Sequence, residues 1–458
     1  MPTPKAPSLK LLSAALFALL FILYNLNFRH GFSVDTVPAT ALSASIAREA
    51  NLDLDEFRQV LSTNTNALDA SLIYFGAMQE RDGRLVTSYP LGSSILAAPF
   101  FWAADKMGYL REWHHYRVVG KIAASFMVAL SAVFVFLTLR LRISIHAAWI
   151  LALLFGLGTP AWPLSSQELW QHGPGTLCLA IGIYALFSLA RAPSQQIALI
   201  AGLFLGLAVL CRLLNVIPTV ALSCFILAHQ RKYSVAYFLP LVAIAIPLAL
   251  YNIETYGHLS GGYDAIYQSK WHAWRGLSSE TAYKNFLPQG FADVLVSPSR
   301  GLIIFSSFFL PAFVASMVFV VRPNIPLERY LAVWVLVMTV VLAKNTLWWG
   351  GSSFGPRYFS ETCVALIILT GGLWHWLTRY RFLYGMFAIS AIASVTVNGI
   401  GAFAAPCGWA DAPNYVDQHP ERLWDWRDSE IPRCLIFAIE NGPKPPEILL
   451  YKSGNPDF

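Results

Sequence analysis

The sequence predicts an all-α polytopic membrane protein with about 11 transmembrane helices and interfacial helices in its first outer loop. Three observations carry this. Of the 458 residues, 56% are hydrophobic and only 13% are charged, with a mean hydropathy of +0.52; soluble domains carry roughly 25% charged residues. Apolar runs near span length recur along the whole chain. The charges, finally, sort into alternate turns. The net charge of +6 is therefore read through its placement and not as affinity for nucleic acid.

The first run, LLSAALFALLFILYNLNF, follows Lys5 and Lys10. A cleaved leader would end in a small-x-small site, but NLNFRHG follows, so a retained span is expected. Further spans are predicted at 117–139, 146–164, 173–190, 196–211, 214–229, 233–251, 301–321, 330–346, 358–377 and 382–403, after the first at 9–27. With the N-terminus inside, the inner turns hold Arg140, Arg142, Arg191, Arg231, Lys232, Arg322, Arg329, Arg379 and Arg381, with Glu328 as the only acid. That is a positive-inside pattern, and it orients the chain. Residues 1–403 then form a transmembrane domain with long outer loops at 28–116 and 252–300, and 404–458 form a small outer tail.

The outer segments carry local signals. Asp82-Gly83 between strand-like residues reads as a tight hairpin. YPLGSSILAAPFFWAADKMG (89–108) is apolar but too short to span, and reads as an interfacial or re-entrant helix. Cys178, Cys211, Cys224 and Cys363 fall in or beside spans as small core residues, whereas Cys407 and Cys434 share the tail and are candidates for a disulfide. The chain has no N-x-S/T sequon, which favours a bacterial inner membrane over an endoplasmic one.

The residues able to carry chemistry lie at the outer ends of spans. Asp35, in FSVDTVPATALSASIAREA, is placed both as a helix N-cap, with Pro38 in the first turn, and as a carboxylate that accepts a proton from a hydroxyl. Arg117, Lys121, Arg212, Arg300 and Arg357 face outward, where the positive-inside pattern does not call for them. Arg212 (LAVLCRLLNVIP) and Arg357 (WWGGSSFGPRY, beside Tyr358) sit on turns too short to let them drift; an anionic lipid phosphate is one partner, and Glu361 is the rival partner for Arg357. Glu168 and His172 in TPAWPLSSQELWQHG could share a helix face as substrate contacts. A divalent metal there is a lesser alternative, since no further His or Cys has ligand spacing, and no cofactor is otherwise called for. No GxGxxG, P-loop, CxxC or HExxH occurs, which argues against nucleotide-driven pumping.

The early outer Asp, YPLGSSILAAPF, GTPAWPLSSQELWQH, GLAVLCRLLNVIP, SPSRGLIIFSS and WWGGSSFGPRY, in that order, resemble the bacterial GT-C glycosyltransferases of the protein-mannosyltransferase-like group (glycosyltransferase family 39 and relatives) over roughly residues 9–403. The resemblance implies a GT-C-like membrane enzyme that moves a sugar from a polyprenyl-phosphate donor to a hydroxyl acceptor on the periplasmic face, with inversion. It implies Asp35 as the catalytic base and Arg300 and Arg357 beside the donor phosphate. Where many relatives carry an Asp-Glu pair this chain has Asp35-Thr36, so a second local acid is missing and metal assistance is not favoured. Two alternatives stand beside this. A lipid-linked-sugar flippase or transporter would need charges near the bilayer midplane. A polysaccharide polymerase or ligase would use basic residues of a later outer loop, here Lys270, Arg275, Lys284 and Arg300.

Overall fold

The computed structural model describes residues 8–31, 33–58, 76–269, 281–322 and 326–442. Each predicted apolar run contains a helix. In chain order the helices are α1 (Leu9–Asn25), α2 (Val37–Arg48), α3 (Gly92–Lys106), α4 (Trp113–Arg140), α5 (Ile145–Leu157), α6 (His172–Arg191), α7 (Gln195–Cys211), α8 (Val216–His229), α9 (Ser234–Tyr256), α10 (Tyr263–Tyr267), α11 (Leu287–Val296), α12 (Leu302–Phe305), α13 (Leu310–Phe319), α14 (Pro326–Lys344), α15 (Thr362–Arg379), α16 (Arg381–Ala404) and α17 (Glu430–Asn441). The chain is a multi-pass helical membrane protein. Among the described residues, five segments are long and apolar enough to cross a bilayer by length and composition, namely Trp113–Arg140, His172–Arg191, Arg231–Tyr256, Pro326–Lys344 and Arg381–Ala404.

Two expected spans are shorter than their apolar runs. α5 stops at Leu157, because Gly158 and Pro160 lead into a π-turn at Ala161–Ser165. The run at 301–321 is split where Ser306 leaves the helical region (φ −138, ψ 60) between α12 and α13. At 1.5 Å per residue, the 13 residues of α5 fall well short of a hydrocarbon core about 30 Å thick.

Packing explains the remaining choices. α1 is built into the bundle: Leu16, Leu20 and Tyr24 are fully buried, and the Tyr24 hydroxyl donates to the Gly156 carbonyl at 3.0 Å. α6 lies against α4 and α7, and α9 covers α7 from outside. The outer face of α9 exposes Val235, Leu239, Val242, Ile246 and Leu250, an apolar face suited to lipid and not to water. Glu328, the one acid of the predicted inner turns, is buried and pairs with Arg142. Cys178, Cys211 and Cys363 are buried as expected, but Cys224 is exposed, on the same side of α8 as exposed Val220 and Leu227.

The long loops gather at one end of the bundle. There β1 (Met78–Arg81) and β2 (Arg84–Thr87) pair antiparallel around Asp82-Gly83, both with positive φ (51° and 78°), as the hairpin reading required. The 89–108 stretch forms α3, which buries Gly92, Ser93, Ser94, Ala97 and Phe101 against α2 and the ends of α4 and α7 while exposing Trp102. The tail folds over Phe305, Trp349 and Phe354, and Cys407 and Cys434 form the expected disulfide. Lys270 and Arg275 lie outside the described residues, and Lys284 is exposed.

Candidate active site

The site begins with a close approach of two helices. α2 is rich in small residues, Ala39, Ala41, Ser43, Ala44 and Ser45, all buried, and packs closely on α3, where Ser94 donates to the Ala39 carbonyl at 3.2 Å. This brings Tyr89, just ahead of α3, to the segment that precedes α2. Asp35 lies there in a 3₁₀ turn, Val34–Thr36, whose N-cap is Ser33. Asp35 is therefore not the N-cap of α2; Thr36 occupies that position and makes no side-chain cap bond. The freed carboxylate accepts from the Tyr89 hydroxyl at 2.5 Å and pairs with Arg357 Nη1 at 2.8 Å. Burial and the charge of Asp35 push the Tyr89 phenol well above its usual range, so it stays a donor.

Arg357 thus finds its partner 322 residues away and not at Glu361. Its loop bends through Gly350, Gly351 and Gly355, each with φ between 71° and 73°. Gly350 is needed twice over, since a Cβ there would stand 2.7 Å from Arg357 Nε. The guanidinium packs over the rings of Trp170 (5.1 Å) and Tyr358 (5.2 Å). These contacts fix its plane while leaving 15% of its side chain exposed, with 28% for Asp35.

Beneath this pair lies a sealed one. Glu361 receives Arg212 Nη1 at 2.8 Å and His172 Nδ1 at 3.1 Å, with side-chain exposures of 1%, 6% and 6%. Arg212 reaches it because α7 ends there in an extended conformation (φ −155, ψ 124), and its guanidinium also lies 5.6 Å from the Tyr358 ring. Tyr358 links the two arginines. Beside His172, Gln171 accepts from the Tyr263 hydroxyl at 2.7 Å, and Tyr263 meets Tyr89 edge-on.

Glu168 and His172 do not share a face, because α6 starts only at His172. His172 turns to Glu361, whereas Glu168 accepts from Thr36 Oγ1 at 2.7 Å and fills the space a Cβ on Gly31 would need. The metal alternative for these two loses its geometry. A second carboxylate nevertheless stands next to Asp35-Thr36, supplied by the turn before α6 and not by the neighbouring residue. Burial raises the Glu168 carboxyl, against the pull of Thr36 and Arg117. Arg117 donates to the Gly31 carbonyl on this flank.

Two predicted contacts lie elsewhere. Lys121 is 1% exposed and donates to Asn27 Oδ1 (2.8 Å) and Gln167 Oε1 (2.7 Å). Arg300 is 2% exposed and pairs with Glu430 of the tail. Sequence reasoning missed Tyr89, Trp170, Gln171 and Tyr263. Tyr89 and Trp170 stand inside motifs already singled out, YPLG and QELWQH, where aromatic residues pass as interfacial anchors.

No described family and no curated protein matches the sequence. Solved structures do match its shape. The oligosaccharyltransferase of Archaeoglobus fulgidus, tethered with an acceptor peptide, matches with a TM-score of 0.53 at 13% identity, over 90% of this chain and 58% of that one. ArnT from Cupriavidus metallidurans, bound to undecaprenyl phosphate, gives 0.53 at 13% identity over 94% and 74%. The fold is GT-C-like. The A. fulgidus oligosaccharyltransferase AglB with an inhibitory peptide and a dolichol-phosphate gives 0.53 at 12% over 91% and 60%. The chain thus spans under two thirds of the oligosaccharyltransferase. In this GT-C fold the Asp35–Arg357 pair sits where the loop-bearing helix ends converge.

Proposed function

We propose that this chain is an integral membrane glycosyltransferase of the bacterial inner membrane, which moves a sugar from a polyprenyl-phosphate donor to a hydroxyl acceptor on the periplasmic face. The observation that carries the reading is the Asp35–Arg357 pair: a partly exposed carboxylate at 2.8 Å from an aromatic-backed guanidinium, at the loop-bearing end of a GT-C fold. That ArnT is described with undecaprenyl phosphate and AglB with a dolichol-phosphate supports a lipid-phosphate donor.

The chemistry follows from the two groups. The acceptor oxygen attacks the anomeric carbon as the bond from that carbon to the phosphate oxygen breaks, and the phosphate leaves with the electron pair. Asp35 takes the hydroxyl proton, oriented by Tyr89. Arg357 stabilises the charge growing on the phosphate oxygens. Attack opposite the leaving phosphate in one displacement inverts the anomeric carbon. No nucleotide is required, because the donor already carries its leaving group. Arg212 and Tyr358 support Arg357 from behind; Glu168 and Arg117 line the acceptor flank.

The test is release of polyprenyl phosphate by the purified full chain from a panel of polyprenyl-phosphate sugars, comparing wild type, Asp35→Asn and Arg357→Gln. Consumption of one donor by wild type, with Asp35→Asn folded but inactive, is expected. A wild type that consumes none of the donors, or an Asp35→Asn variant with full turnover, sinks the reading.

A further inference from the structure

The proposed reaction leaves the tail without a role, yet its buried groups converge on the loop that carries Arg357. Glu430, 4% exposed, opens α17, and its Oε2 accepts both from Arg300 Nη1 and from the backbone N–H of Gly355 at 3.1 Å. Arg300 donates in turn to the carbonyls of Trp349 (3.1 Å), Gly351 (3.0 Å) and Ser299 (2.7 Å). One sealed ion pair therefore grips the loop at Trp349, Gly351 and Gly355. The tail adds a fourth hold, since the Trp349 indole donates to Asp417 at 2.5 Å. Trp409, itself 1% exposed, packs against the guanidiniums of Arg300 (5.0 Å) and Arg422 (5.1 Å), and the Cys407–Cys434 bond ties the start of the tail to α17.

The loop needs such holding. Its three glycines with positive φ give it many alternatives when unrestrained. Arg357 follows Gly355 by two residues and donates its own N–H to the Gly355 carbonyl at 3.0 Å, so a shift of Gly355 carries the guanidinium with it. Arg357 and Asp35 must stay within 2.8 Å, a tolerance a freely bending loop does not keep.

We propose that residues 404–442 are a clamp that positions Arg357 for turnover, with Glu430 as the positioning residue. This rests on the glycosyltransferase reading for its consequence in turnover, though not for the clamp itself. Glu430 touches neither donor nor acceptor; it acts through Arg300 and Gly355.

Two measurements on the full chain decide it. Hydrogen exchange over 348–357 is compared in wild type, Glu430→Gln and Arg300→Met/Glu430→Gln; the double variant guards against misfolding from an unpaired buried charge. Loop exchange is expected to quicken roughly tenfold or more in both, with exchange across α4 and α6 unchanged. Donor turnover is expected to lose about tenfold to a hundredfold in kcat, with KM for the donor within about threefold. Unchanged loop exchange in both variants overturns the clamp. Faster exchange with unchanged kcat overturns its part in the reaction. A wild type that consumes no donor sinks the enzyme reading alone, and loop exchange still decides the clamp.

Discussion

Two ion pairs share the aromatic ring of Tyr358 and differ in one respect. Asp35–Arg357 keeps 28% and 15% of its side chains exposed, whereas Arg212–Glu361, with His172, is sealed at 6% or less. Their geometry is otherwise alike, each at 2.8 Å. A sealed pair has no surface for a ligand, and its loss strands a charge away from water. A half-open pair holds its groups ready and still lets an anion compete for the guanidinium. Exposure and not charge separates scaffold from candidate chemistry here.

The comparison can be broken at either pair. The largest effect is expected from Asp35→Asn, which removes the proposed base: about 10²–10⁴-fold in kcat, with the thermal unfolding midpoint little changed. Glu361→Ala should do the opposite. It leaves Arg212 buried and unpaired, at about 3–5 kcal/mol of stability, seen as a large drop in unfolding midpoint or in folded yield. If Asp35→Asn destabilised as much as Glu361→Ala while keeping turnover, the two pairs would be alike and the distinction would fall.

Smaller effects sharpen it. Tyr89→Phe removes the 2.5 Å bond to Asp35 but no charge, so a loss of roughly 1.5 kcal/mol, or about tenfold in kcat, is expected with normal folding. The smallest effect is a pH slope on the Arg117 side of the site. Burial and Arg117 depress the His30 imidazole from 6.5 to about 2, where it packs 3.0 Å from His114 Nδ1. Below pH 6.5 the unfolded chain takes up a proton that the folded chain refuses. Stability is therefore present above 6.5 and falls by up to about 1.4 kcal/mol per pH unit on acidification. His30→Gln should flatten that part of a melting-temperature profile; an unchanged slope would assign the acid sensitivity to other groups.

The sequence by itself determined what composition and short-range pattern can encode. Charge deficit and apolar runs specify a helical membrane protein, Asp82-Gly83 specifies the hairpin, and two cysteines confined to one short tail find each other. Those signals are local, or they sum over the chain. Only the tertiary structure decided who meets whom. Arg300 and Arg357 look equivalent as outward basic residues at span ends, yet one is sealed under Glu430 and the other stands half-open at Asp35. Arg357 passes over Glu361, four residues on, because its glycine-rich loop aims it across to Asp35 ahead of α2, while Arg212 at the broken end of α7 takes Glu361 instead. The acid missing beside Asp35 in the chain returns in space as Glu168. An ion pair forms wherever helix packing brings its atoms within reach, and over 322 residues no periodicity carries that information.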